Sequence, residues 1–465
     1  MLFSGIPFLF YFLPVVLILY FISPKFLKNA VLLLASLIFY GWGEPKYVFL
    51  MIASILLGFF LGMAIDKAKT KKMKKLWLSL SVVSSVLLLG FFKYADFFIY
   101  NFNAVTGLSI AFLKIALPIG ISFYTFQILS YTIDVYRGNV PYQKNIINFA
   151  TYVALFPQLI AGPIVRYVDV CRQLECREHS FEKFYLGMRR FTVGLSKKVL
   201  IANIMGEVCD LFRATSDKSV LFFWIYAIAF GIHVYFDFSG YSDMAIGLGK
   251  IFGFDFIENF NYPYISKNIS EFWRRWHMSL GSWFRDYVYI PLGGNRVKTG
   301  RWLFNTLVVW MLTGLWHGAA WNFVVWGLIY AALLIGEKFF VKRIIDKNAL
   351  LAHIYTMFFV ILGFVVFNAP DMATAGQDIV GMFGFGGHAF VNDTTLYQLS
   401  TNALIFALGI IGSTPLPKKL YAKISEGKIK NVISTLEPLG VVLLLLVCTA
   451  YLVDGSYNPF LYFRF

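Results

Sequence analysis

Thr313-Gly314-Leu315-Trp316-His317-Gly318 puts an imidazole inside an otherwise apolar stretch, with Trp302-Leu303-Phe304 through Met311 before it and Trp321 to Leu334 after it. A hydrocarbon slab makes an ionisable side chain costly, so one held there is a functional-site hypothesis. Histidine can also take and give a proton near neutral pH. The structural alternative is a histidine hydrogen-bonded inside a helix bundle. Both readings require a chain that lives in a membrane.

Composition agrees with that requirement. Hydrophobic residues make up 58% of the 465, and charged residues only 14%, where a soluble domain carries about 25% charged residues. Aromatics reach 19%, 50 of them Phe, which suits lipid-facing walls and interfacial belts. The expected fold is all-α and polytopic, with room for roughly 10–12 transmembrane helices of about 20 residues each. The N-terminus has neither a basic n-region nor a small-residue cleavage site, and reads as a retained first span. The formal charge is +16. Most of the excess lies in short loops between spans, where it sets orientation and meets membrane lipid headgroups rather than nucleic acid. Cys171, Cys176, Cys209 and Cys448 lack the spacing of a zinc site and read as reduced thiols.

The loops give an orientation. Apolar runs occupy about 6–23, 27–41 and 47–65, with Lys25 and Lys28 between the first two and the Lys-rich segment Asp66 to Lys75 after the third. The positive-inside rule places these loops in the cytoplasm and the N-terminus outside. The far end is consistent. Lys342-Arg343 to Lys347 is basic and 350–367 is a span. Residues 368–400 are Gly-rich with Asp371, Asp378 and Asp393 and no Lys or Arg. A span follows at about 401–415, then the basic Lys418-Lys419 to Lys430, then a last span at about 434–453. The C-terminal tail, 454–465, then lies outside. The middle is irregular: 138–215 and 254–300 are broken by Pro, Gly and charges yet lie between spans. Such backbone survives at membrane depth only where protein buries it or it lines an aqueous cavity. These stretches read as re-entrant or interfacial helices around a central pocket. With no repeat or linker, a single domain, 1–465, is the economical reading.

The densest polar constellation is Ser270-Glu271-Phe272-Trp273-Arg274-Arg275-Trp276-His277-Met278-Ser279-Leu280. On a continuous helix Arg274 and Trp273 would share a face with His277. Arginine offers planar donors for phosphate and tryptophan a stacking surface, so Trp273, Arg274, Arg275 and Trp276 are candidate ligands for an anionic, planar donor. The structural alternative is an interfacial helix with Arg in headgroups and Trp in the belt. His233 and Asp237, one turn apart, are spaced to hydrogen-bond, with a packing role favoured over a base–orienter couple. No Walker loop and no HExxH occurs, and His277 and His317 lack nearby carboxylates for a catalytic metal, so no metal is expected.

Several ordered segments together resemble the membrane-bound O-acyltransferase (MBOAT) family, and within it the alginate O-acetylases, peptidoglycan O-acetyltransferases and D-alanyl transferases of teichoic acid. The likeness is carried by Phe39-Tyr40-Gly41-Trp42-Gly43-Glu44-Pro45-Lys46-Tyr47, Leu117-Pro118-Ile119-Gly120-Ile121-Ser122-Phe123-Tyr124 and Phe156-Pro157-Gln158 with Ala161-Gly162-Pro163-Ile164. It continues through Phe236-Asp237-Phe238-Ser239-Gly240-Tyr241-Ser242-Asp243, Phe272 to Leu280, and Gly314-Leu315-Trp316-His317-Gly318. It runs over about residues 1–340 and resumes at the C-terminal tail.

The resemblance implies a central tunnel from cytoplasm to outer face, with His317 as the principal catalytic histidine and His277 as the second. It implies an O-acetyltransferase of the bacterial inner membrane that takes acetyl from cytoplasmic acetyl-CoA, a substrate rather than a bound cofactor. The acetyl group would go to an extracytoplasmic polysaccharide such as peptidoglycan or alginate, with help from a periplasmic SGNH-type partner. His317 would be the general base, and His277 with the two arginines would position the donor. The tail Phe460-Leu461-Tyr462-Phe463-Arg464-Phe465 is similar to the Phe-x-Tyr-x-x-Phe end of the small partner peptide in D-alanyl transfer systems. That likeness makes Tyr462 a candidate first acceptor, against the alternative of an aromatic belt at a chain end. The rival functions are a membrane transporter, which would need a similar polar cavity, and a non-catalytic scaffold of an envelope complex.

Overall fold

The computed structural model describes residues 1–427, 430–455 and 460. Among them no residue lies in a strand. The chain is an all-α, multi-pass membrane protein. Eight described helices are long and apolar enough to cross a membrane: Lys25–Gly43, Val48–Lys67, Lys71–Thr106, Val220–Ile251, Trp321–Ile345, Ala349–Asn368, Asp393–Gly412 and Lys430–Asp454, with a shorter apolar helix at Phe8–Ile22. Large apolar side chains along them face outward, among them Ile18, Leu34, Phe60, Leu87, Leu404 and Leu443. Apolar surface of this extent on a helix exterior needs lipid around it.

Other described helices are shorter or carry more polar groups. Ile121–Arg137 has 17 residues and buries Thr125, Gln127, Ser130, Thr132 and Asp134. Thr299–His317 buries Asn305, Thr306, Thr313 and His317. The stretch 368–400 is more helical than its composition suggests. Met372–Met382 is a helix, and Asp393–Gly412 begins well before the apolar run, because Asn392 caps it by accepting the Thr395 N–H at 3.0 Å.

Two compact units divide the chain: Met1–Phe191 with Met244–Ile257, and Thr192–Asp243 with Glu258–Phe465. The first has an aromatic core in which Phe39 stands 5.6 Å from both Phe3 and Phe156. Its helix Ile121–Arg137 starts at Gly120, which has φ +75° and where a Cβ would lie 2.6 Å from the Leu159 carbonyl oxygen. Left-handed backbone and close approach together require glycine there, which explains the Pro118-Ile119-Gly120 turn.

The second unit is built on Val220–Asp243, most of a 32-residue helix, and on the hairpin of Thr299–His317 with Trp321–Gly336. The hairpin helices nearly touch. A Cβ on Gly314 would lie 2.2 Å from the Phe323 carbonyl oxygen, and one on Gly327 would lie 2.3 Å from that of Trp310. The irregular segment 254–300 resolves into short pieces, Ile269–Arg275 and Met278–Phe284, followed by a π-turn at Arg285–Tyr289. All four cysteines are free thiols.

Candidate active site

The second unit contains a cavity of about 780 Å³ lined by His277, His317, Trp273, Arg274, Trp276, Arg285, Trp310, Glu337, Lys338 and Lys342, among others. Its size is that of a small-molecule site. Both candidate histidines open onto it, although 40 positions separate them in sequence.

His277 sits at a break, not on a helix face. Ile269–Arg275 ends at Trp276, His277 adopts φ +44°, ψ +53°, and a new helix starts at Met278. The expectation that Arg274 and Trp273 share a helical face with His277 is therefore corrected. A left-handed non-glycine residue is strained and persists only where its surroundings fix it. Two backbone bonds do so here: the Asn261 N–H donates to the Arg275 carbonyl and the Met278 N–H to the Asn259 carbonyl, both at 2.9 Å. The break turns the imidazole inward, leaving it 2% exposed.

One carboxamide orders this imidazole. His277 Nδ1 donates to Asn259 Oδ1 at 3.0 Å, Ser279 Oγ donates to the same oxygen at 2.8 Å, and Asn259 Nδ2 donates to Ser242 Oγ at 3.0 Å. A proton fixed on Nδ1 makes Nε2 the basic nitrogen. The segment holding His277 lies outside the membrane-crossing helices, and burial lowers its pKa well below the ordinary histidine range, with neighbouring His317 adding to the shift. His277 is therefore neutral at physiological pH. The Phe238 ring meets it edge-on at 4.7 Å.

His317 ends the helix Thr299–His317 and is 6% exposed. Trp326 and Phe367 meet its ring edge-on, each at 5.2 Å. Trp316 touches both histidines, with its ring 5.0 Å from His317 and 5.9 Å from His277. After the histidine the chain needs Gly318, because a Cβ there would lie 2.2 Å from the Phe323 ring. The Trp-His-Gly order thus follows from packing at the helix end.

The two arginines separate. Arg274 is exposed and lines the cavity. Arg275 pairs with Glu271 at 2.9 Å and donates to the Asn261 carbonyl at 3.0 Å, and is not among the cavity-lining residues. Both tryptophans belong to aromatic packing. Trp273 lies 4.8 Å from Trp310 and 4.7 Å from Tyr330, while Trp276 packs on Phe260 at 5.1 Å and Phe364 at 5.4 Å. They serve as cavity wall, with their faces largely taken up by neighbours.

Other cavity residues carry no local sequence signal. Glu337, 4% exposed, accepts the Ile269 N–H at 2.5 Å and the Ser270 N–H at 3.2 Å, holding the start of the Arg274 helix. Lys338 lies 3.5 Å above the Trp302 ring. Lys338, Lys342, Arg274 and Arg285 make the cavity rim strongly basic. Among the described residues no group of three His, Cys, Asp or Glu side chains is placed to hold a metal ion.

His233 and Asp237 take different hydrogen-bonding partners. His233 Nδ1 donates to the Ala202 carbonyl at 2.7 Å, and Asp237 pairs with Lys198 at 2.6 Å. The nearby backbone carbonyl wins over the side chain one turn away, so His233 is a helix-packing residue. Tyr462 lies outside the described residues.

Comparison with known proteins gives the class of this helical membrane protein. Residues 140–372, which hold both histidines, match the MBOAT family, described as membrane-bound O-acyltransferase. The chain belongs to this family and is an O-acyltransferase. It is 39% identical to the probable alginate O-acetylase AlgI of Azotobacter vinelandii, with 100% of both chains covered. It is also 36% identical to the peptidoglycan O-acetyltransferase of Helicobacter pylori, over 83% of this chain and 80% of that one. A third relative, the teichoic acid D-alanyltransferase of Bacillus subtilis, is 31% identical over 54% of this chain and 68% of its own length.

Proposed function

We propose that this enzyme moves acetyl from cytoplasmic acetyl-CoA, through the bacterial inner membrane, to hydroxyls of an extracytoplasmic polysaccharide of the alginate or peptidoglycan kind, working with a periplasmic SGNH-type partner. Both chain ends face outside. The observation that carries this reading is the pair of buried imidazoles, 2% and 6% exposed, on one cavity with a cationic rim. A diphosphate-bearing donor matches a rim of Lys338, Lys342, Arg274 and Arg285. The names of the relatives supply the acetyl group and the acceptor class.

In this mechanism His317 is the general base. It removes the proton from an acceptor hydroxyl as the oxygen attacks the thioester carbonyl. The C–S bond breaks, the ester forms, and the departing thiolate takes a proton to leave as free CoA. His277, neutral and oriented by Asn259, positions the donor by accepting a hydrogen bond at Nε2. Tyr462 is the first acceptor, passing acetyl onward to the glycan. His317→Ala should lower O-acetyl content of envelope polysaccharide by about 10²–10⁴-fold, the usual contribution of a general base, while membrane insertion persists. Acetyl release from alkali-treated polysaccharide measures this. Wild-type release from the variant would overturn the assignment.

A further inference from the structure

The π-turn Lys197–Ala202 and the helix Val220–Ile251 are joined by two ion pairs. Lys197 Nζ meets Asp243 Oδ2 and Lys198 Nζ meets Asp237 Oδ1, both at 2.6 Å. They differ in exposure. The first pair is 24% and 17% exposed, whereas the second is 0% and 1%. A fully buried ion pair is costly to desolvate and is weak as a stabilising device. π-turns are also frequent at functional sites. Lys198 thus calls for a role beyond stability.

The C-terminal tail meets this pair. Phe460, six residues past the end of the helix Lys430–Asp454, lies outside any helix and is 1% exposed. Lys198 Nζ stands 4.8 Å from its ring centre, and the Tyr241 ring meets it edge-on at 4.8 Å. Phe460 is therefore buried against the Lys198 amine and the Tyr241 ring. Tyr241 lies on the same helical turn as Phe238, which touches His277, and Ser242, which holds Asn259. The place where the tail is buried adjoins the elements that order the cavity histidine.

We propose that Lys198, Asp237 and Tyr241 form an internal receptor for the C-terminal tail, with Phe460 as the anchor, and that Phe460 and Lys198 are positioning residues for acyl transfer. The proposal rests on the reading of Tyr462, two positions beyond the anchor, as first acceptor. Asp237 pairs with Lys198 inside the protein, and the Lys198 ammonium faces the Phe460 ring. An anchored tail makes the encounter of acceptor and donor intramolecular, which raises its effective concentration.

The test uses the purified full-length enzyme with acetyl-CoA. Benzoylphenylalanine placed at 460 should crosslink under light to the peptides carrying Lys198 or Tyr241; crosslinks to other regions alone overturn the receptor. Phe460→Ala should lower turnover to acetylated tail, read by mass spectrometry of the C-terminal peptide, by roughly tenfold or more, as expected for losing a desolvated cation–π contact. The KM for acetyl-CoA should stay unchanged, and Phe460→Trp should restore turnover, because tryptophan keeps an aromatic face for Lys198. Wild-type turnover in Phe460→Ala overturns the anchor. If the wild-type tail never carries acetyl, the acceptor reading of Tyr462 falls, and cellular polysaccharide acetylation decides the anchor: a drop with Phe460→Ala supports it, and wild-type content overturns it.

Discussion

The side-chain oxygen of Asn259 accepts the Nδ1 hydrogen of His277 at 3.0 Å, while the backbone carbonyl of the same asparagine accepts the Met278 N–H at 2.9 Å. One residue thus sets the tautomer of the imidazole and clamps the backbone that carries it. Buried hydrogen bonds of this kind orient a histidine for chemistry at its other nitrogen.

Asn259→Asp tests that link through pH. A carboxylate beside Nδ1 favours the imidazolium, so it raises the pKa of His277 from its burial-depressed position. The neutral form is then lost at higher pH. The acid limb of the pH–rate profile should move upward by about one unit, with rates near wild type on the alkaline side of the shift. An unmoved limb would show that His277 does not titrate during turnover.

The two adjacent arginines should behave differently. Arg274→Ala removes a cation from the cavity rim and should raise the KM for acetyl-CoA by roughly tenfold, the scale of one charge-assisted phosphate contact. Arg275→Ala breaks a half-exposed pair with Glu271, costing under about 1 kcal/mol of stability, and should leave KM unchanged. Initial-rate titrations of acetyl-CoA separate the two. Equal KM changes would place both arginines on the donor.

Gly314→Ala should destabilise the fold. The new methyl would meet backbone, the Phe323 carbonyl oxygen at 2.2 Å, so no rotamer change relieves it. The hairpin must part, at a cost of about 1–3 kcal/mol or more. Thermal unfolding in detergent measures the loss. Gly336→Ala on the same hairpin, where a Cβ meets nothing within 4 Å, should leave the midpoint unchanged.

Tyr462→Phe should stop acetyl reaching the polysaccharide while leaving protein levels intact. The change keeps the ring and removes only the hydroxyl, so an interfacial aromatic would tolerate it and a covalent acceptor would not. Mass spectrometry of the C-terminal peptide after incubation with acetyl-CoA gives the direct reading. Full polysaccharide acetylation by the variant would eliminate the relay.

Spacing along the chain misled wherever the chain bends. Arg274, Trp273 and His277 read as one helical face, but the left-handed backbone at His277 breaks the helix before that face is complete. His233 and Asp237 have helical spacing and do share a helix, yet each takes a partner from the segment 197–202. The motif Asp237-Phe238-Ser239-Gly240-Tyr241-Ser242-Asp243 shows the same limit. Its residues engage Lys198, His277, Phe460, Asn259 and Lys197, and Gly240 admits the Gly194 carbonyl, where a Cβ would lie 2.7 Å away. None of these partners is within helical reach in sequence.

What the sequence determined by itself is the environment and the chemistry available. Long apolar runs can satisfy their backbone only as helices in lipid, so the all-α membrane fold follows from composition and run length. The rarity of ionisable groups within those runs singled out His317 as a functional candidate. Which groups meet is settled by the folded arrangement. The cavity joins His277 to His317, Glu337 holds the start of the Arg274 helix through Ile269 and Ser270, 68 and 67 positions before it, and Asn259 fixes a proton on a histidine 18 residues away. The physical reason is that hydrogen bonds and ring contacts act over a few ångströms, and a chain of short, broken helices brings together residues whose separation in sequence carries no period to read.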